Sequence, residues 1–469
     1  MGTASIVGSK SITDRIRADL CVIGAGSAGL SLAAGAVQMG ASVILIEQSR
    51  MGGECLNTGC VPSKALLAAA ARGDGFAAAY EHMRGAIAAI EPHDSVERFR
   101  GLGVHVELGK AQFVAPRFLE VGSTSVTARR FIVATGSAPL VPPVPGLDSV
   151  PYFTNETLFD SAPEPSHLLV LGGGPIGAEM AQAFRRLGAE VTLFESKRLL
   201  GRDDPELAAV VRARLIEEGV TIHEESRVTA AEASADGGVT ITCGEGGASR
   251  RISGSHLLVA AGRRPKINGL GLENAKVALN EGVPLVDARL RTTNKRIFAA
   301  GDVVGPYRFT HTASYQSRII ITNALFRLPV KARYNAVPWV TYTDPELGHV
   351  GMSEAEARAK GHELRILRFP FEENDRAIAE GATAGLVKVV ATKRGRVLGA
   401  SIVGKHAGEL ILPWVLAVQC RIGVSKIAQA IVPYPTMSEA SARAAGSFHA
   451  PMLFGPRTRR LVRMLARLG

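Results

Sequence analysis

Two stretches of the chain repeat the same order of apolar, small and polar positions. Each begins with a short apolar run, at residues 20–23 and 168–171, of the length of one buried strand. Each then passes into glycines, a helix-length segment, a Gly-Ala turn, and a second β-branched strand that ends on an acid. The copies, GAGSAGLSLAAGAVQMGASVILIEQ from Gly24 and GGGPIGAEMAQAFRRLGAEVTLFES from Gly172, align without a gap at an offset of 148 residues. This pattern predicts two strand–helix–strand units of a parallel α/β fold. The Ala- and Leu-rich run after Pro62 predicts another helix. Near the end, Leu461, Met464, Leu465 and Leu468 recur at i, i+3, i+4 and i+7 among arginines, the spacing of an amphipathic basic helix. No apolar run reaches the ~18 to 20 residues that span a bilayer.

The glycines give the repeat a chemical meaning. Gly24, Gly26 and Gly29 in the first copy match Gly172, Gly174 and Gly177 in the second. A pyrophosphate seated on a helix N-terminus needs a tight turn, a close backbone approach and a helix packed hard on its strand, and three glycines at this spacing meet these needs in order. Glu47 and Glu195 each fall 18 residues beyond the third glycine. That is close to the ~20 expected of a carboxylate that accepts ribose hydroxyls. Two dinucleotide sites are therefore expected. In the second, Glu195 would repel a 2′-phosphate, which favours NAD over NADP, with Lys197 and Arg198 nearby as the cations that could reverse the choice.

Length and composition place the chain among globular proteins. A chain of 469 residues allows about three domains. With 46% hydrophobic and 21% charged residues it falls outside the disordered and fibrous classes. Residues 1–10 lack the layout of a signal peptide, so a cytoplasmic protein is expected. The net charge of +11 raises the question of an anionic partner. Arg457, Arg459, Arg460, Arg463 and Arg467 supply nearly half of it, with no acid from Arg457 onward. No nucleic-acid motif accompanies the basic residues, so nucleic acid is not an expected partner. The tail is read as a helix packing on its own dimer, as a peripheral membrane contact or as a contact with a partner.

Five cysteines include one close pair, Cys55 and Cys60, directly after the first unit in GGECLNTGCVPSK. On a regular helix they would be separated by a rise of ~7.5 Å, beyond the ~4.4 to 6.8 Å reach of a disulfide, so bonding requires a distorted turn that Gly59 can supply. Cys60 and Lys64 lie at i and i+4 and share a face, where the ammonium and the helix N-terminus both favour a thiolate. A structural disulfide, half a zinc site and a redox pair all fit such spacing. Cys21, Cys243 and Cys420 offer no second ligand pair, no metal site is assigned, and the redox reading is preferred.

These residues resemble the flavoprotein disulfide reductases, the class I pyridine nucleotide-disulfide oxidoreductases. Mercuric reductase-like and dihydrolipoamide dehydrogenase-like members are the nearest. The similarity extends to ATG at 134–136, AAGRRP at 260–265, IFAAGD at 297–302, PWVTYTDPELGHVGMSEAEA from Pro338 and YPTMSEA from Tyr434. It implies two Rossmann-like domains and a C-terminal α+β dimerisation domain. FAD binding would take residues 1–152 with 270–335, NAD(P) binding 153–269, and the dimer interface 336–469. Besides Gly24, Gly26, Gly29 and Glu47, the resemblance places Gly53, Thr58, Lys64, Ala111, Thr135, Gly136, Asp302 and His311 around FAD, with Asp302 on the ribityl chain. Gly172, Gly174, Gly177, Glu179, Glu195 and Gly262 would hold the nicotinamide cofactor. Glu179 would pair with Lys64, and Tyr434 and Glu439 of one subunit would complete the other subunit's site.

Two departures from the family pattern bear on activity. Where lipoamide and glutathione enzymes carry His-Pro, this chain has Tyr434 before Pro435, and a phenol of ordinary pKa near ~10 is a poor base at neutral pH. The C-terminal cysteine pair of mercuric reductases is missing, and His449 is the nearby residue that could approach the site instead. The expected function is an FAD-dependent NAD(P)H oxidoreductase that passes electrons through the Cys55–Cys60 disulfide to a disulfide or soft-metal acceptor. The alternatives are a dihydrolipoamide dehydrogenase-type enzyme and a membrane-associated NADH donor to quinones.

Overall fold

The computed structural model describes residues 14–245 and 248–468. The leaderless reading of residues 1–10 and the last tail residue, Gly469, lie outside the described residues. The first unit forms as its pattern predicts. Asp14–Ile23 pairs in parallel with Val43–Glu47 on one side and Thr124–Val133 on the other, and helix Ser27–Gln38 makes the crossover. His105–Leu108 extends this sheet beyond Val43–Glu47. Phe118–Val121 and Ala111–Ala115 extend it antiparallel beyond Thr124–Val133. Much later in the chain, Ile297–Ala299 returns to pair with Phe131, Ile132 and Val133.

Both faces of this sheet are covered, which explains a run of unbroken hydrophobicity in place of alternation. Leu20, Val22 and Leu45 point into the core beneath helices Ser27–Gln38 and Thr310–Ala324. Cys21, Ile23, Ile44 and Ile46 point into a second core with Phe113, Phe131 and Leu272. Cys21 is therefore a small apolar core residue whose thiol pKa is pushed up by burial. Cys243 is likewise buried in a strand, whereas Cys420 is exposed just beyond helix Leu412–Gln419.

The second unit reproduces the first. Val220–His223, Glu190–Phe194, His167–Leu171 and His256–Val259 form a parallel sheet in that order, with Pro175–Arg186 as the crossover helix. A three-stranded antiparallel sheet, Arg227–Ala233, Val239–Glu245 and Ala248–Gly254, packs beside it. The match extends to atoms. A Cβ on Gly29 would lie 1.8 Å from the Gly24 carbonyl oxygen, and one on Gly177 would lie 1.9 Å from that of Gly172. The third glycine of each copy is required because the helix rests directly on the turn.

The C-terminal part is a five-stranded antiparallel sheet ordered Pro338–Thr341, Glu346–Gly351, Val397–Gly404, Leu386–Thr392, Leu364–Pro370. Helices Leu412–Gln419 and Glu439–Gly446 pack on it around Trp414, whose indole N–H reaches Ser441 Oγ at 3.0 Å. Helix Pro456–Leu465 forms where the tail pattern predicts it, and none of its residues is buried in the protomer. Among the described residues, no helix is long and apolar enough to cross a membrane.

A charged cluster clamps the second unit to this sheet. Lys388, with a side chain 6% exposed, reaches Asp204 at 2.8 Å, Glu206 at 2.9 Å and Glu354 at 3.1 Å. Removing the cation would leave buried Asp204 without its ion-pair partner, while Glu206 and Glu354 keep Arg368 and Arg358. Lys388→Met should therefore cost about 3–5 kcal/mol in urea unfolding of the holoprotein. Glu206 has its pKa held down to about 2 from an ordinary 4.5, first by Arg368 and then by Lys388. The folded state thus prefers the carboxylate, and this contribution is complete above pH 4.5 and fades as the pH falls toward about 2. Unfolding curves of parent and variant should accordingly converge over that acid range.

Candidate active site

A cavity of about 2090 Å³ opens where the first unit, the second unit and the C-terminal sheet meet. Gly24, Gly26, Gly53, Thr58, Thr135, Gly136, Asp302 and His311 line it from the first unit. Gly172, Gly174, Glu179, Glu195 and Gly262 line it from the second. Cys55, Cys60 and Lys64 stand in the wall between them.

The cysteine segment is two helices separated by one sharp turn. Gly53–Asn57 ends as Thr58 N–H closes on the Glu54 carbonyl at 2.8 Å, and Cys60–Ala71 begins after Gly59. Buried Leu56 anchors the first helix, and Asn57 Nδ2 donates to the Met51 and Gly53 carbonyls at 2.9 and 2.7 Å. At Gly59 a Cβ would lie 2.9 Å from the Glu54 carbonyl oxygen, so only glycine lets the chain turn this tightly. The result is the departure from a regular helix that the five-residue spacing demands. It brings the two sulfurs close enough to share a hydrogen bond.

The surroundings separate the acidities of the two sulfurs. Cys60 is held below the ordinary thiol range by a hydrogen bond from Cys55, by the Lys64 ammonium and by Thr310. Cys55 is pushed well above it by the same contact with Cys60 and by burial. The pair therefore rests as one thiolate and one thiol. Lys64 lies one turn past Cys60 and 2.7 Å from Glu179 Oε2. Burial opposes the ammonium charge, but the Glu179 carboxylate outweighs it and holds the lysine pKa up. Lys64 also sits 4.5 Å from the centre of the Tyr342 ring, and Glu179 Oε1 accepts the Tyr342 N–H at 3.0 Å.

Polar groups that the sequence reading did not single out hold the segment in place. Arg263 is ion-paired with Glu54 and donates from Nε to Ser137 Oγ at 2.9 Å. Ser137 in turn donates to Asp302 Oδ2 at 2.8 Å. Asn155 Nδ2 donates to Glu54 Oε1 at 2.7 Å and to the Thr58 carbonyl at 3.0 Å. Burial raises the Glu54 pKa and Arg263 opposes that rise. Arg263 sits in the AAGRRP motif, so its presence near the site was readable, but its partner 209 residues away was not. Thr310 was also missed. Its hydroxyl donates to Cys55 Sγ at 3.3 Å and lies 3.7 Å from Cys60 Sγ.

The walls suit nucleotide cofactors. Glu47 accepts the N–H groups of Ala25 at 2.6 Å and Ser49 at 2.8 Å, and Glu195 accepts those of Gly173 and Lys197, each at 2.8 Å. Both carboxylates are thus oriented by equivalent backbone donors and retain lone pairs for hydroxyls. Thr135 Oγ1 and Arg308 Nε, on residues of the cavity wall, are buried without a protein partner, as groups that meet a polar ligand would be. His311 Nε2 lies 2.9 Å from the Pro338 carbonyl oxygen, and burial lowers its pKa.

Gly29, Gly177, Ala111, Tyr434 and Glu439 are not among the residues that line this cavity. The Ala111 methyl group packs into the core with Phe113 and Val121. Tyr434, 70% exposed, donates to Asp375 Oδ2 at 2.7 Å, and Glu439 is paired with Arg443 at 3.0 Å. Neither residue lines the cavity of its own chain. His449 is half-buried and bonded to Ser425 Oγ at 2.9 Å.

Residues 18–317 match the family model described as pyridine nucleotide-disulphide oxidoreductase, and residues 337–445 match the dimerisation domain of the same family. The chain belongs to this family, whose members contain FAD and use NAD(P)H. It is 38% identical over 459 residues to a mercuric reductase of Streptomyces lividans, covering 92% of this chain and 96% of that protein. It is 36% identical over 466 residues to a dihydrolipoyl dehydrogenase of Thermus scotoductus, covering 92% and 97%. The Cu(II) complex of the HOCl-induced flavoprotein disulfide reductase RclA from Escherichia coli superposes with a TM-score of 0.86 at 30% identity, over 92% of this chain and 99% of the other.

The charge arrangement around Cys60 predicts a direction. In dithiothreitol-reduced protein, Lys64→Met should move the pH midpoint of Cys60 alkylation by iodoacetamide upward, because the thiolate loses its cation. Identical alkylation profiles in parent and variant would show that Lys64 does not tune the thiol.

Proposed function

We propose that this pyridine nucleotide-disulphide oxidoreductase family member carries electrons from NADH through Cys55 and Cys60 to a disulfide or soft-metal acceptor. The observation that carries the reading is the thiol–thiolate pair set in the cavity wall between two dinucleotide-type turns. Bound FAD would supply the two-electron transfer between nicotinamide and sulfur. Gly24, Gly26, Glu47, Thr135 and Asp302 would hold it. Gly172, Gly174, Glu195 and Gly262 would hold the nicotinamide cofactor. NADH is preferred to NADPH because the Glu195 carboxylate stands at the ribose end, while Arg198 is turned away onto the Asp203 carbonyl at 3.3 Å.

In reduction, NADH and the Cys55–Cys60 disulfide become NAD⁺, one thiol and one thiolate. Cys60, beside the Lys64 ammonium, keeps the negative charge. Cys55 passes its proton to the adjoining Cys60 sulfur and attacks a sulfur of the acceptor, forming a mixed disulfide and expelling one thiolate. The expelled thiolate takes the proton from Cys60. Cys60 then attacks Cys55, restores the disulfide and releases the second thiolate. In a homodimer, as the dimerisation domain suggests, Tyr434 and Glu439 of the partner subunit would face the acceptor. The Asp375 carboxylate raises the Tyr434 pKa further, so this phenol stays protonated at neutral pH and is a poor base for taking a proton from a dithiol. That favours acceptor reduction over dihydrolipoamide oxidation.

Cys55→Ser should abolish NADH-dependent disulfide reduction while NADH-dependent ferricyanide reduction persists. Disulfide turnover equal to the parent would overturn the assignment. Glu195→Ala should shift the ratio of kcat/KM values toward NADPH.

The tail supports a second reading, attachment to an anionic lipid surface. Along the exposed helix Pro456–Leu465 and its last turn, Arg459, Arg460, Arg463 and Arg467 share one face, opposite Leu461, Met464, Leu465 and Leu468. Full-length protein should co-sediment with phosphatidylserine vesicles more strongly than a chain ending at Pro456. Equal sedimentation would overturn the lipid reading.

A further inference from the structure

The hydroxyl of Thr310 lies between the two redox sulfurs and belongs to neither cysteine helix. Thr310 is the first residue of helix Thr310–Ala324, and its Oγ1 lies 3.3 Å from Cys55 Sγ and 3.7 Å from Cys60 Sγ. The hydroxyl donates to Cys55 Sγ and lies within reach of Cys60 Sγ, so its single proton faces both sulfurs. The reduced pair carries one negative charge, held on Cys60 beside Lys64 and next to the Cys55 thiol. The disulfide carries no charge, and its neutral sulfurs are weaker acceptors than a thiolate. The hydroxyl therefore faces a charged sulfur only when the pair is reduced.

The geometry is held from several directions. The β-branched side chain has few rotamers. The helix behind it is anchored where Ser317 Oγ donates to the Ala28 carbonyl at 2.8 Å and where Ile320 and Ala324 are buried in the first core. Its N-terminal end faces the sulfurs, so the helix dipole favours negative charge there as well.

We infer that Thr310 is a positioning residue that bridges Cys55 and Cys60 and biases the pair toward its reduced thiol–thiolate form. This rests on the redox reading of the cysteine pair. The step it biases is balanced: NADH plus the disulfide gives NAD⁺, one thiol and one thiolate, with no further proton required.

The test equilibrates FAD-loaded parent, Thr310→Val and Thr310→Ser enzymes with graded ratios of reduced and oxidised dithiothreitol. Samples are then quenched in acid, alkylated, and their free thiols counted by intact mass. Losing one hydrogen bond to a charged sulfur should shift the Val enzyme roughly tenfold toward the disulfide. The Ser enzyme, which keeps the hydroxyl, should return to within about twofold of the parent. Coincident curves for parent and Val would overturn the inference. A Ser enzyme as readily oxidised as the Val enzyme would also overturn it, since the effect would then be lost packing. Parent enzyme treated with NADH alone reports on the underlying reading: failure to generate two alkylatable thiols would sink that reading, whatever the dithiothreitol curves show.

Discussion

One carboxylate joins the three parts of the molecule at the chemical centre. Glu179 projects from the glycine-turn helix of the second unit, with a side chain 5% exposed. One of its oxygens meets the Lys64 ammonium from the cysteine helix, and the other accepts the Tyr342 N–H from the C-terminal part. A buried carboxylate without such partners would be strongly disfavoured. Satisfying it fixes where the cysteine helix lies against the second nucleotide turn. The ion pair also keeps Lys64 charged one turn from Cys60, so an element of domain packing sets the acidity of a sulfur.

That centre works only because a helix is interrupted. The bond of Thr58 to Glu54 and the bare Cα of Gly59 turn the chain back on itself. Without the turn, Cys55 and Cys60 would sit too far apart for sulfur exchange. The network of Glu54, Asn155, Arg263, Ser137 and Asp302 then ties the turn to residues from both units. Displacing it would disturb the cysteine geometry and the cavity wall together. The Lys388 cluster plays a comparable role farther out, holding the second unit to the C-terminal sheet.

Sequence periodicity was sufficient to locate both strand–helix–strand units and the main groups of the candidate site. Apolar runs followed by glycines located both strand–helix–strand units. The fixed offset between copies identified Glu47 and Glu195 as equivalent before any fold was known. Cys55, Cys60 and Lys64 were legible because they lie within ten residues of one another on one local element. The core packing of the Ala111 methyl group was not legible, because nothing in a five-residue strand shows which face meets the core.

Local order along the chain thus determined which groups are present and how they are spaced within each element: the two glycine turns, the paired thiols and the acids. Tertiary structure decided which distant groups meet them. Thr310 reaches the sulfurs across 250 and 255 residues, Arg263 reaches Glu54 across 209, and Glu179 reaches Lys64 across 115. Such contacts depend on how sheets and helices pack, and packing depends on the summed shape of many side chains. A spacing rule reads only one element at a time.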